Sequence, residues 1–173
     1  MVWLLIGVII GSVILDQLTK WLAVVYLKGT AGFALWDGVF EFTYTTNKGA
    51  AWGMLDNARW VFMTVSTLAI IGIAIYLFGF CKQNAWVKLS LAFVAGGGIG
   101  NMIDRVWLGY VIDFLNFELI DFPVFNVADC FVTVGAFMLI GYLIWDMIRE
   151  MKEEKKQKAL TAETENRDEE RVD

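Results

Sequence analysis

The chain has no histidine, a single proline and two cysteines in 173 residues. Without histidine, a Ser-His-Asp triad, a Cys-His pair and an HExxH zinc site are all impossible. Cys81 and Cys130 are too few for a thiolate cage and fall at opposite ends of apolar segments. They read as small buried hydrophobes rather than a disulfide. Charge is also scarce, at 19% of residues.

Apolar residues fill that space. The chain is 58% hydrophobic and 15% aromatic, with mean hydropathy +0.57, against about 45–50% apolar for a soluble domain. The expected class is an integral membrane protein, mainly α. A spanning helix needs about 20 mostly apolar residues, and four segments supply them: Val2 to Leu27, Trp60 to Cys81, Trp86 to Ile103 and Val127 to Trp145. The chain opens MVWLLIGVII with no basic residue before Lys20, so the first segment reads as a retained span, not a removable leader.

Basic residues set the orientation. CKQNAWVK carries Lys82 and Lys88, and the stretch after Trp145 carries Arg149, Lys152, Lys155, Lys156 and Lys158. Both regions are expected to be cytoplasmic, with both termini inside. Lys28, Lys48 and Arg59 argue the other way, but they are dispersed among acids in a longer connection. The polar residues of the spans then gather near the outer leaflet.

Within residues 28–59, Val39, Glu41, Thr43 and Thr45 alternate with Phe40, Phe42 and Tyr44. That period of two predicts short strands in a small sheet on the membrane surface. Residues 105–125, rich in aromatics and holding Pro123, read as an interfacial segment or further short strands. Residues 1–149 form the expected membrane domain, and 150–173, almost without large apolar residues, a helix that frays into disorder.

Carboxylates remain as the source of chemistry. An acid on a spanning helix costs about 2.5–3.5 kcal/mol at its centre on insertion scales and so asks for a partner or a function. In DQLTK, Asp16 and Lys20 share a helix face at i, i+4 and serve either as an internal ion pair or in substrate contact. In GGGIGNMIDR, glycines allow close helix approach, and Asn101, Asp104 and Arg105 form a polar cluster that is either structural or substrate-orienting. Asp113 and Asp129 are separated by a segment long enough to leave the membrane surface and return. They are either a dyad sharing a proton, as in an aspartic protease, or interfacial acids satisfied by water.

Five motifs occur in order: D-x-x-T-K at Asp16 to Lys20, N-x-G-A-A at Asn47 to Ala51, G-N-x-x-D-R at Gly100 to Arg105, V-x-D-F at Val111 to Phe114 and F-N-x-A-D at Phe125 to Asp129. Together they resemble the bacterial lipoprotein signal peptidase family, signal peptidase II. The resemblance implies four transmembrane helices, a small extracytoplasmic sheet and a half-helix. It implies an aspartic endopeptidase of the bacterial inner membrane, cutting prolipoproteins before a diacylglyceryl-modified cysteine. Asp113 and Asp129 become the catalytic pair, Asn47 and Arg105 backbone-holding residues, and Asn101 and Asn126 neighbours of the dyad. Gly49 belongs to the second motif, and Asp16, Lys20 and Asp104 become supports. No metal, cofactor or nucleic acid is implied; membrane lipid is, and a monomer is expected. Trp52 departs from the phenylalanine common after N-x-G-A-A. The competing readings are a proton-coupled transporter using Asp16 and Lys20, and an assembly factor whose polar groups only pack helices.

Overall fold

A computed structural model of the protein describes residues 1–49, 59–80, 84–120 and 122–169. Ala50, Ala51, Trp52, Cys81 and Lys82 lie outside the described residues. The elements run α1 (Val2–Tyr26), β1 (Phe33–Trp36), β2 (Phe40–Asn47), α2 (Arg59–Ile75), α3 (Ala85–Trp107), β3 (Val111–Phe117) and α4 (Val127–Glu169).

Among the described residues, three helices are long and apolar enough to cross a membrane unaided: α1, α3 and the Val127–Lys158 portion of α4. The second expected span is the 17-residue α2, continued by a π-helical turn over Tyr76–Phe80. Inside the bundle α3 is the hub, packed on α1, α2 and α4. Its glycines make this possible. A Cβ on Gly97 would collide with the Ala128 carbonyl oxygen, and one on Gly96 would sit 2.7 Å from Ser12 Cβ. Small residues bring backbones together where lipid supplies no hydrophobic drive between helices.

The three strands form one antiparallel sheet in the order β1-β2-β3. The segment after Arg105 thus supplies the third strand. Side chains alternate across β3. Ile112 and Phe114 are buried with Ala23 of α1 and Leu27 just beyond it against Phe42 and Tyr44 of β2, which leaves Asp113 on the other face. This packing ties the sheet to the C-terminal end of α1.

The charged segment from Glu150 onward is helical, with α4 continuing to Glu169. Its Glu, Lys and Ala residues are strong helix formers, and the spanning part of α4 provides the nucleus that an isolated peptide would have to form for itself.

Candidate active site

The site is assembled where the C-terminal ends of α1 and α3 and the N-terminal end of α4 meet the sheet. Lys20 is its buried centre. Its Nζ lies 2.9 Å from Asp16 Oδ2, 3.0 Å from Asp104 Oδ2 and 2.9 Å from Asn101 Oδ1, and all three charged side chains are at most 3% exposed. An ammonium has three donors, and here each has an acceptor. The internal ion pair read from DQLTK is what the structure contains, with a second carboxylate added.

Both carboxylates also reach outward to backbone. Asp16 Oδ1 accepts a hydrogen bond from Ala128 N at 2.9 Å, so a side chain of α1 satisfies one of the orphan N–H groups at the start of α4. Asp104 Oδ2 accepts from Ile112 N at 3.1 Å, fixing the residue before Asp113. The turn between them needs Gly109, whose φ of 87° is a left-handed conformation that other residues adopt at a cost. Gly109 N donates back to Asp104 O at 3.2 Å.

Gln17 was not singled out by any motif reading, yet it braces the same cluster. Its Nε2 donates to Asp16 Oδ2 at 3.1 Å, Asp104 Oδ1 at 3.0 Å and Gly100 O at 3.2 Å. The one signal available in sequence was a second polar residue directly after Asp16 in a span.

Asn126 joins the two candidate catalytic acids. Leu115 and Phe125 pair as an isolated antiparallel bridge, so the chain leaves β3 and returns beside it, which delivers Asn126 to Asp113. Asn126 is fully buried. Its Nδ2 donates to Asp113 Oδ1 at 2.6 Å and to Asn101 Oδ1 at 3.1 Å. Its Oδ1 accepts from Asp129 N at 3.1 Å, and its own N donates to Asp129 Oδ2 at 3.1 Å. This reciprocal pair is a capping box, so Asp129 holds its place as part of the start of α4. Asn101 Nδ2 donates to Asp129 Oδ1 at 2.8 Å.

Asp113 is gripped from its other side by β2. Thr45 lies opposite Asp113 in the ladder, and Asn47, two residues on, shares that face, close enough for a diagonal contact. Asn47 Nδ2 donates to Asp113 Oδ2 at 3.1 Å, while its Oδ1 accepts from Gly49 N at 3.0 Å. The resemblance assigned Asn47 to the substrate backbone; here it positions Asp113 and retains a second amide N–H. Arg105 Nη1 donates to Asn101 O at 3.3 Å, and its charge acts on Asp129, Asp113 and Asp104.

Burial pushes the Asp113 carboxyl up to about 7, and the adjacent Asp129 charge adds to the rise against the opposing donors Asn126 and Asn47. A carboxyl so placed holds a proton near neutral pH while a second acid stands beside it. That is the division of labour that activates water between two aspartates. Among the described residues no group of three or more acids and cysteines forms a metal cage.

Comparison with known proteins agrees with this geometry. A family model described as signal peptidase (SPase) II matches residues 8–145. The lipoprotein signal peptidase of Brevibacillus brevis is 43% identical over 150 residues, spanning 87% of this chain and 96% of its own. That of Nostoc punctiforme is 45% identical over 132 residues, spanning 73% and 81%. A bacterial membrane enzyme solved by the in meso method at 2.3 Å resolution superposes with a TM-score of 0.79 at 29% identity, covering 85% of this chain and 91% of the other. The transporter and assembly-factor readings are set aside by these matches. The chain is a multi-pass protein of the bacterial inner membrane and belongs to the signal peptidase II family of intramembrane aspartic endopeptidases.

Proposed function

We propose that Asp113 and Asp129 are the catalytic dyad and that the substrate is a prolipoprotein cut before its diacylglyceryl-modified cysteine. The observation that carries this reading is the Asn126 side chain, which is bonded at once to Asp113 and to the N–H of Asp129. Asp113 holds the proton and Asp129 acts as base. Asp129 takes a proton from water as its oxygen attacks the carbonyl carbon of the residue before the cysteine, and Asp113 gives its proton to the carbonyl oxygen. The resulting gem-diol returns a proton to Asp113, Asp129 protonates the cysteine nitrogen, and the C–N bond breaks. Both aspartates finish in their starting states, with no metal or cofactor in the cycle.

Asn101, Asn126 and Asn47 position the pair, whereas Arg105 and the second amide N–H of Asn47 engage the substrate backbone. An unsatisfied amide at membrane depth costs several kcal/mol. Asp16, Lys20, Asp104 and Gln17 hold the three helix ends in place. The basic residues beside the inner ends of α3 and α4 support a topology with both termini in the cytoplasm, which puts the dyad near the outer leaflet, where a lipid-anchored cysteine lies. The family match covers residues 8–145, which supports a peptidase unit over residues 1–149 with the charged end of α4 outside it.

Cleavage of a diacylglyceryl-modified prolipoprotein by the purified protein is the test. Asp113→Asn and Asp129→Asn, shown to be folded, are each expected to lower kcat by about 10³-fold or more. Activity within tenfold of wild type in either variant refutes the dyad.

A further inference from the structure

We propose that the groove between α2 and α4 seats the apolar helix of the substrate's signal peptide, and that Asp146, at its inner end, receives a basic group from the segment preceding that helix. This rests on the peptidase reading above and on its topology. A cavity of about 530 Å³ opens between the inner halves of α2, α3 and α4. From α4 it is lined by Leu139, Tyr142, Leu143 and Asp146, spaced i, i+3, i+4 and i+7 and therefore on one helix face.

The groove floor leads from this cavity to the proposed dyad. Val87 and Leu91 of α3 line the cavity. Continuing from them in alternating steps of three and four residues, the same stripe passes Gly98 and ends at Asn101 and Arg105. α2 packs on α3, with Ile70 standing beside Gly98, and makes little contact with α4, so the groove opens between α2 and α4. Asp129 and Asp146 are 17 residues apart on α4, about 25 Å at the helical rise. A signal peptide has about 7–15 apolar residues followed by a short cleavage segment, with its basic region at the other end. As a helix this covers a comparable distance, so its basic end and its scissile bond fall at the two acids.

Charge favours the same occupant. Asp146 Oδ1 is shielded from solvent and accepts no hydrogen bond among the described residues; it meets Arg149 Nη2 as an ion pair at 2.9 Å. Arg149 is half exposed, with its guanidinium 5.1 Å from the Trp145 ring centre and its Nε 3.9 Å from Glu153 Oε1. Asp146, Arg149 and Glu153 sum to one negative charge. An arriving lysine or arginine neutralises it, and Arg149 has Glu153 and Trp145 to retain it when the carboxylate turns to the substrate.

The test measures binding directly. A labelled synthetic signal peptide with a dilysine start, and a partner with both lysines replaced by glutamine, are titrated against the protein in zwitterionic nanodiscs by fluorescence anisotropy. Wild type is expected to bind the lysine peptide about fivefold more tightly. Asp146→Asn abolishes that preference, Asp146→Glu restores it, and Arg149→Gln enlarges it. In parallel cleavage of the matching lipidated substrates, KM follows the same pattern and kcat stays constant. Wild-type affinity and preference in Asp146→Asn overturn the inference. If the binding pattern holds but nothing is cleaved, the peptidase reading fails and the inference stands.

Discussion

Replacing Gly100 with alanine offers a direct probe of how the helix ends beside the sheet are held. A Cβ at this position would lie 2.5 Å from Asp16 Oδ2, 3.0 Å from Asp16 Cγ and 3.4 Å from Ala128 Cβ. Ordinary contact starts near 3.4 Å, so Asp16 must retreat by about 0.9 Å, and it is not a free end. Lys20, Gln17 and Ala128 N all bind it. Its displacement therefore pulls on the first turn of α4, which carries Asp129. Overpacking costs about 1–3 kcal/mol and alanine returns about 1 kcal/mol of helix propensity, for a net stability loss of about 0–2 kcal/mol. The larger effect is on chemistry, since misplacing a reacting group by about 1 Å can cost about 10²-fold in rate. Gly7→Ala, on α1 and outside the proposed groove, is the control. Its Cβ would meet nothing within 4 Å, so stability is expected to hold or rise by up to about 1 kcal/mol with kcat unchanged. Unfolding in detergent and kcat for prolipoprotein cleavage, measured on both variants, make the comparison. Wild-type kcat in Gly100→Ala refutes the link from Asp16 to Asp129.

Two further outcomes follow from the site. The Asp113 carboxyl rises from 3.8 to about 7 in the folded protein, so its stabilising contribution is complete below pH 3.8 and is lost as pH climbs through 7. Asp113→Asn should abolish cleavage, flatten the stability profile between pH 4 and 8, and raise stability at pH 8 by up to about 4 kcal/mol; equal pH dependence in variant and wild type, followed by chemical unfolding, contradicts this. Gln17→Leu leaves Asp104 Oδ1 and Gly100 O without their shared donor and should cost about 1–3 kcal/mol, read by thermal unfolding, with Gln17→Glu no better because it brings an acceptor to acceptors.

The spans were legible because lipid demands a long apolar run, and β2 because aromatic and polar residues alternate along it. β3 was harder to read. In VIDFLNF the first four residues are all buried, since one face packs on α1 and the other on the site, and a strand covered on both sides loses its alternation. In the charged segment the composition is that of a solvated peptide, whereas its helix grows from one already formed. Within the site, residue types and i, i+4 spacing revealed Asp16 with Lys20. No local pattern reports that Asp16 binds Ala128 N, a contact spanning 112 positions, or that Gln17 supports Asp104. The Asn126–Asp129 capping box, by contrast, is a short-range motif written in N-x-x-D and could have been read as the start of α4.

The ion pair on α1 also bears on how the protein is made. During synthesis α1 emerges long before α3 and α4, so Asp16 and Lys20 must enter the membrane when Asp104, Asn101 and Ala128 do not yet exist. Because the two charges already face each other one helical turn apart, the segment enters as a net-neutral unit carrying its own counterion. The later helices then exchange a self-sufficient pair for a shared network. The last helix to arrive brings Asp129, with Asn126 just ahead of it, so the nascent chain lacks the proposed pair of acids until α4 is in place.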